Sequence, residues 1–534
     1  NIKVIDVRHE ATAVFAADAV SRLSGKIGVA VVTAGPGLTN TITAMKNAQL
    51  AQAPVLILGG ATANVLKGRG SLQDIDHISL TKSVTKHSRS IKRVQKIQPV
   101  LETLITIASS GVPGPVYLEL PVDLLYPESI VREWYGLKAN SKSMPWWMAG
   151  YLNWKVNQLF KNKDRPYIKK SAPTKRRPRS IHLNKVSNMI QSARKPLLLI
   201  GSQAMLVPDK GELLVKNIET LGLPVFVSGA ARGLLSKTKL PVYRHMRKSA
   251  LKDADLVILA GVPCDFRLDY GIHINHLAKT VAVNLNRKDL SLNRRPTVGI
   301  VSDPCSFLIE LGQNITVGNW KDWHNILRKR DLERTAKITQ QGNELTDFVN
   351  PIKLCSLIDQ QMRDGDIIVA DGGDFVATSS YVLRPRSLMG WLDPGVFGTL
   401  GVGAGFILGA HFTNPGSLIW AVFGDGAFGF SMMEFDTFTR YNIPVVSVIG
   451  NDSCWSQIAR DQMAFLNDPV GTELAATKYH KAIEGLGGDG YFIDSEDQIQ
   501  SVLSQAKESA LGGRPVVVNA RIGKTEFRKG SISI

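Results

Sequence analysis

Short apolar runs alternate with stretches of helical period along nearly the whole chain. In the first part, IKVIDV, IGVAVVTA, PVLILGG and GPVYLELPVDLL read as strands, with helices from about Glu10 to Ser24 and through MKNAQLA, and a loop at GPGLTN. A second set, KPLLLIG, PVFVSG, ADLVILAG and TVAVNL, begins near Ile181 and closes by about Asn314, and the charged helical stretch LRKRDLERTAK leads onward. The third set, DIIVADGG, SLIWAVFGDG, IPVVSVIGND and PVVVNARIG, starts near Pro351. Strands that alternate with helices build mainly parallel sheets in α/β layers. The pattern predicts three doubly wound parallel-sheet domains over 1–128, 181–345 and 346–534, with 129–180 as an insert and linker. Repetition is at the level of whole domains, with no short-period repeat.

Length agrees, since 534 residues exceed one hydrophobic core and a prior of roughly 150 residues per domain suggests three or four. The chain opens at Asn1 already on the alternating IKVIDV, so the first domain is expected to be incomplete, with any signal or anchor further upstream. Net charge is +18, which suits nucleic acid, an anionic membrane or phosphate-bearing small molecules. Its distribution narrows the choice. Between Ser141 and Ser180 eleven Lys and Arg face one acid, Asp164. Trp146, Trp147, Tyr151, Trp154 and Phe160 precede most of these cations, a combination that fits either an amphipathic segment on a membrane surface or a solvated arm. The second half, rich in Pro and cations, reads as an exposed linker. No nucleic-acid-binding fold surrounds it, and no nucleic-acid partner is expected. Cys264, Cys305, Cys355 and Cys454 are scattered without a C-x-x-C pair, which argues against a zinc site or a disulfide framework and for reduced core thiols. The long uncharged run Pro394 to Gly424 passes the length test for a membrane span. Its prolines, glycines, His411 and Asn414 make it a buried core segment instead.

The apolar SLIWAVF ends in Gly424-Asp425-Gly426, which pushes a carboxylate out between two glycines. Glycines there allow a tight turn and a close backbone approach to a ligand. One helix and one strand later come Asn451 and Asp452, so these oxygen-bearing side chains are expected at neighbouring carboxyl ends of a parallel sheet, where such folds bind ligands. A hard cation such as magnesium takes oxygen ligands and bridges protein carboxylates to phosphates. The helix after the glycines adds free backbone N–H groups, expected to begin at Ala427, and its positive dipole end. The predicted ligand is a diphosphate held through a metal.

GDG, 24 residues, then Asn451-Asp452 resembles the diphosphate-binding motif of thiamin diphosphate enzymes, whose usual ending is Asn-Asn. The resemblance covers the whole chain and is greatest to the branch of acetolactate synthases and 2-hydroxyacyl-CoA lyases. It implies a pyrimidine-binding domain, a central Rossmann-like domain and a diphosphate-binding domain, with thiamin diphosphate and Mg2+ as cofactors. Asp425, Asp452 and the backbone carbonyl of Cys454 match the metal ligands, beside Gly424, Gly426 and Ala427 along the diphosphate. Asp452 departs from the family's Asn and adds a negative charge, so either it binds the metal more tightly or Asn451 takes part instead. Glu10, in VIDVRHEATAVF, matches the glutamate that hydrogen-bonds the aminopyrimidine ring and supports removal of the thiazolium proton. On its own a Glu in a first helical turn is as readily a partner of the helix dipole. Pro36, in GPGLTN, matches a loop lining the same cleft, and Gln73 a glutamine near the substrate. The Gly398 carbonyl is implied as acceptor for the exocyclic amine, and Leu400 as the wedge that bends the cofactor. Gly373, Asp374 and Phe375 stand where acetolactate synthases show Gly-Gln-His, which weakens transfer of their substrate preference.

The forms GDGAFGFSMMEFDTFTRYNIPVV and LDPGVFGTLGVG are similar to the acyl-CoA lyases, and a polyanionic CoA substrate suits a basic enzyme. The implied reaction is cleavage of a 2-hydroxyacyl-CoA to formyl-CoA and an aldehyde one carbon shorter, a step of fatty acid alpha-oxidation. The central block, with GSQA, ARGLLS and VPCDFRLDYG, lacks G-x-G-x-x-G, so FAD is not supported. The resemblance further implies a homodimer or tetramer with Glu10 supplied across subunits, and an endoplasmic reticulum membrane location through an upstream anchor. The tail GSISI carries no peroxisomal signal. Two rivals stand beside the lyase: an acetolactate synthase-like carboligase acting on 2-oxo acids, and a catalytically silent scaffold. Retention of Glu10, Gly398, Leu400 and Asp425 together speaks against the scaffold.

Overall fold

The structure, a computed structural model, describes residues 2–137, 144–163, 177–314 and 318–529. It divides into two compact units, one of His9–Ser21 with Lys26–Thr174, the other of Asn1–Arg8, Arg22–Gly25 and Lys175–Ile534. The smaller unit holds a four-stranded sheet of β1 (Gly28–Val32), β2 (Val55–Ala61), β3 (His87–Ser90) and β4 (Val116–Pro121), in the order β1-β2-β4-β3 with every pairing parallel.

The larger unit contains two six-stranded parallel sheets. One has β5 (Pro196–Ile200), β6 (Val225–Val227), β7 (Val242–Tyr243), β8 (Leu256–Ala260), β9 (Lys279–Asn284) and β10 (Val298–Val301), ordered β10-β9-β8-β5-β6-β7. The other has β11 (Ile367–Asp371), β12 (Trp391–Leu392), β13 (Ile419–Gly424), β14 (Val445–Asn451), β15 (Asp489–Ile493) and β16 (Pro515–Arg521), ordered β12-β11-β13-β14-β16-β15. Every residue of β13 and β14 is buried. Helices cover both faces of these strands, which is why their sequences read as continuous apolar runs.

Strands not apparent in the sequence are β3, β7, β10, β12 and β15, and each lies at a sheet edge. The strand expected at IKVIDV does not form, and residues 2–7 join no sheet. Their alternation leaves Ile2 and Val4 exposed, while side chains fasten the segment. Asp6 pairs with Arg440 at 2.8 Å, and the Arg8 backbone N–H donates to Glu434 at 3.0 Å.

The uncharged run after Pro394 folds as a short turn at Gly395–Phe397, a helix over Gly403–Thr413 and then β13. Among the described residues no helix is long and apolar enough to cross a membrane. Cys264, Cys305 and Cys355 are buried free thiols, as expected, whereas Cys454 is only half-buried. The insert's first half is a helix over Trp146–Phe160, anchored by Val156, Leu159 and Phe160 in the core of the smaller unit. Phe160 therefore separates from the other aromatics, and Trp146 is 86% exposed. The basic stretch 164–176, expected as an exposed linker, lies outside the described residues.

Candidate thiamin diphosphate site

In the smaller unit, Glu10 begins the helix Glu10–Ser24, where its charge complements the helix dipole. Its Oε2 accepts from Asn40 Nδ2 at 2.9 Å. Asn40 follows a one-turn helix, Pro36–Thr39, in place of the loop expected at GPGLTN. Pro at a first helical position loses only an N–H that the helix would leave unused, and Leu38 and Thr39 N–H groups close the turn onto the Gly35 carbonyl. Gly35 has φ +58°, and a Cβ there would lie 2.8 Å from Gln73 Cβ. Gln73 is itself left-handed, at φ +62°, a strained conformation that surrounding structure must enforce. The unit thus brings Glu10, Pro36 and Gln73 together around one short segment.

Two residues of this wall were not singled out in the sequence. His77 Nε2 accepts from the Gly35 N–H at 2.9 Å, and its Nδ1 lies 2.9 Å from Glu119 Oε2. Glu119 on β4 is fully buried and also pairs with Lys67 at 2.7 Å. Burial pushes its carboxyl up, but hydrogen bonds from His77 and Lys67 outweigh this and hold it at about 2.

In the larger unit, the register aligns Gly424 with Gly450, so β13 and β14 end level. Asp425 is the first residue of the helix Asp425–Ser431, two residues earlier than the expected start at Ala427. It is 3% exposed; Oδ1 accepts from the Gly426 N–H at 2.9 Å, and among the described residues Oδ2 has no hydrogen-bond partner. Burial first, and then the neighbouring Asp452 carboxylate, pushes Asp425 up to about 7. Asp452 is itself raised by burial, opposed by a hydrogen bond from Ser456 and reinforced by Asp374. Asn451 is turned elsewhere. Its Nδ2 donates to Asn519 Oδ1 at 3.1 Å and its Oδ1 accepts from the Ser453 N–H at 3.2 Å. Cys454 forms a single antiparallel bridge with Glu473.

The glycines are explained by contact. A Cβ on Gly426 would meet the Trp455 ring at 2.4 Å, and one on Gly372 would overlap Leu400 Cδ2 at 2.0 Å. The Gly424 N–H donates to the Gly372 carbonyl at 3.0 Å, so the DGG and GDG turns pack backbone to backbone. Asp374 opens the next helix and pairs with Arg460 at 2.6 Å. Phe375 is a core residue under Gly450, and Ala427 is buried. Gly398 adopts φ +63°. Leu400 is held through its neighbours, because Gly401 and Gly403 N–H groups donate to the two oxygens of Asp371 at 3.0 and 2.8 Å. Burial pushes Asp371 up to about 7 against those hydrogen bonds. Asp371 also escaped the sequence reading, although it closes a buried strand before glycines just as Asp425 does.

Among the described residues no cluster of three or more His, Cys, Asp or Glu is arranged to hold a metal. The buried, unpartnered Asp425 Oδ2 beside Asp452 nevertheless fits a hard divalent cation completed by phosphate oxygens.

The Glu10 segment of the smaller unit and the glycine turns around Asp425 in the larger one each carry features expected of a thiamin diphosphate enzyme, and comparison with known families agrees. The N-terminal thiamine pyrophosphate binding domain matches residues 1–80, the central domain 183–311 and the C-terminal binding domain 371–520, so the chain belongs to the thiamine pyrophosphate enzymes. Within them it is 43% identical over 546 residues to 2-hydroxyacyl-CoA lyase 2 of Danio rerio, covering 100% of this chain and 87% of the relative. Against 2-hydroxyacyl-CoA lyase 2 of Caenorhabditis elegans the identity is 45% over 548 residues, covering 100% and 86%. A probable acetolactate synthase of Mycobacterium bovis is 28% identical over 521 residues, covering 97% and 88%.

Proposed function

We infer that this chain is a thiamin diphosphate-dependent carbon–carbon lyase that cleaves 2-hydroxyacyl-CoA to formyl-CoA and an aldehyde one carbon shorter. The observation that carries this is full-length similarity at 43–45% to the 2-hydroxyacyl-CoA lyases 2 of Danio rerio and Caenorhabditis elegans, against 28% to an acetolactate synthase. Asp374 adds to it. At the position of the synthases' Gln stands an acid already committed to Arg460.

Thiamin diphosphate, when bound, supplies the carbanion chemistry that breaks the bond between the thioester carbonyl and the carbinol carbon. Glu10 is the proposed proton-sharing group at the aminopyrimidine ring, with Asn40 orienting Oε2. The Gly398 carbonyl would take the exocyclic amine, and Leu400, backed by Asp371, would fill the space beneath the bend. Asp425 and Asp452 would hold Mg2+ together with the Cys454 carbonyl. Asn451 is the weaker of the two alternative ligands, because its amide is spent on Asn519 and Ser453. Gln73 is proposed to face the substrate. The family's cross-subunit glutamate makes a homodimer or tetramer the proposed active form.

Location and surface belong to the same proposal. Trp146, Trp147, Tyr151 and Trp154 are exposed beside Lys155, next to the most cationic part of the sequence, which supports contact with an anionic membrane such as that of the endoplasmic reticulum. Flotation with and without phosphatidylserine vesicles tests this, and equal recovery in both would remove it.

For the reaction, protein with thiamin diphosphate and Mg2+ is given 2-hydroxyacyl-CoA in one tube and pyruvate in another. Aldehyde in the first is the expected result; acetolactate in the second alone would establish the carboligase instead.

A further inference from the structure

We propose that His77 is a positioning residue, a clamp that joins the buried Glu119 of β4 to the Gly35 backbone and thereby fixes the segment that carries Asn40 against Glu10. The proposal rests on the reading of Glu10 as the cofactor's proton partner.

The chain of contacts is continuous within the smaller unit. Glu119 Oε2 lies 2.9 Å from His77 Nδ1, His77 Nε2 lies 2.9 Å from the Gly35 nitrogen, and Asn40 Nδ2 reaches Glu10 Oε2 at 2.9 Å. A backbone N–H can only donate, so Nε2 must present its lone pair to Gly35 and the ring proton must sit on Nδ1, facing the carboxylate. The Glu119 contact is therefore a hydrogen bond that selects the tautomer, in the way outer carboxylates orient ligand histidines. Lys67 neutralises the other Glu119 oxygen at 2.7 Å. His77 is 1% exposed and opens a short helix capped by Asp76, whose side chain accepts from the Ser79 N–H at 3.1 Å. Its ring is thus anchored from both ends.

What the clamp restrains is the part of the wall with the least freedom to move productively. Gly35 sits against Gln73, both with positive φ, and Gly37 neighbours Glu10, with a Cβ there in ordinary contact with Oε1 at 3.8 Å. A shift of Gly35 would displace Asn40, and with it the side-chain donor to Oε2, as well as the backbone facing Oε1. It would also release Gln73. His77 thus ties the proton-sharing carboxylate and the substrate-side glutamine to one buried anchor.

Two amides separate the halves of the clamp. Gln carries its terminal amide at about the reach of Nε2 and retains an acceptor for Gly35, whereas Asn reaches only the Nδ1 position and keeps the Glu119 partner alone. In the cofactor-free protein, His77→Asn should speed deuterium exchange of the Gly35–Asn40 amides by about 10-fold or more, with His77→Gln, which keeps the Gly35 half but loses Glu119, falling between it and wild type. In the loaded enzyme, His77→Asn should lower kcat by roughly 10–100-fold, the usual size of outer-shell effects, while KM moves far less. Equal exchange and equal kcat for Asn, Gln and wild type would overturn the clamp. So would wild-type exchange in a folded His77→Gln protein, which has lost the Glu119 anchor, and this decides the matter should the Asn variant not fold. A Glu10→Gln enzyme with normal turnover would sink the base assignment while leaving the exchange result standing, so the two failures are distinguishable.

Discussion

The two units treat their candidate carboxylates differently. Glu10 meets an amide donor from Asn40 on a segment bound to the sheet through His77 and Glu119. Asp425 is buried, pushed up to about 7, and keeps one oxygen without a hydrogen-bond partner among the described residues. Glu10 finds a hydrogen-bond donor within its own unit; Asp425 fits a cation that the protein alone does not replace. A group that handles a proton needs a fixed direction, whereas a group that binds a metal needs an unspent lone pair.

The largest effect that would break this comparison is at Glu10. Glu10→Gln should lower kcat by roughly 10²–10⁴-fold, the range for loss of acid–base catalysis, with thiamin diphosphate affinity nearly unchanged by titration calorimetry. Near-normal turnover would place the proton elsewhere. Asp425→Asn should show the complementary pattern, with Mg2+-dependent cofactor affinity weakened by roughly 10–100-fold.

The same carboxylate predicts a pH slope. Its folded-state value is raised from 3.8 to about 7, so its contribution to stability is full below pH 3.8 and is lost as pH rises through about 7. Cofactor-free protein should therefore lose stability across that window, on the order of a few kcal/mol, and Asp425→Asn should flatten the slope in urea titrations at several pH values. Metal-dependent cofactor binding should strengthen over the same window, because the ligand must be ionised.

A smaller contrast lies along one helix. Phe160→Ala should cost about 3–5 kcal/mol as a core truncation, whereas Trp146→Ala should stay within about 0.5 kcal/mol, both read from urea midpoints. Similar values would mean that the exposed end of the helix is packed.

Interior strands were legible in the sequence, and of the edge strands only β1 was. All interior strands stood out as apolar runs, while β3, β7, β10, β12 and β15, all at edges, need less apolar sequence and left little signal. IKVIDV misled in the opposite direction, because alternation is a local pattern and, among the described residues, no strand pairs with residues 2–7. Glu10, Gln73, Gly398, Leu400 and Asp425 were read from family resemblance and turn chemistry. Asn40, His77, Glu119 and Asp371 act only through residues far away in sequence. His77 looks like any core histidine until Gly35 and Glu119 are seen on either side of it.

The most direct measurement follows carbon 1 of a 2-hydroxyacyl-CoA labelled there with 13C, incubated with the protein, thiamin diphosphate and Mg2+. The account predicts the label in formyl-CoA, an unlabelled aldehyde one carbon shorter, and no product when the cofactor is omitted. Label remaining wholly in the parent thioester while the same preparation converts pyruvate to acetolactate would contradict it.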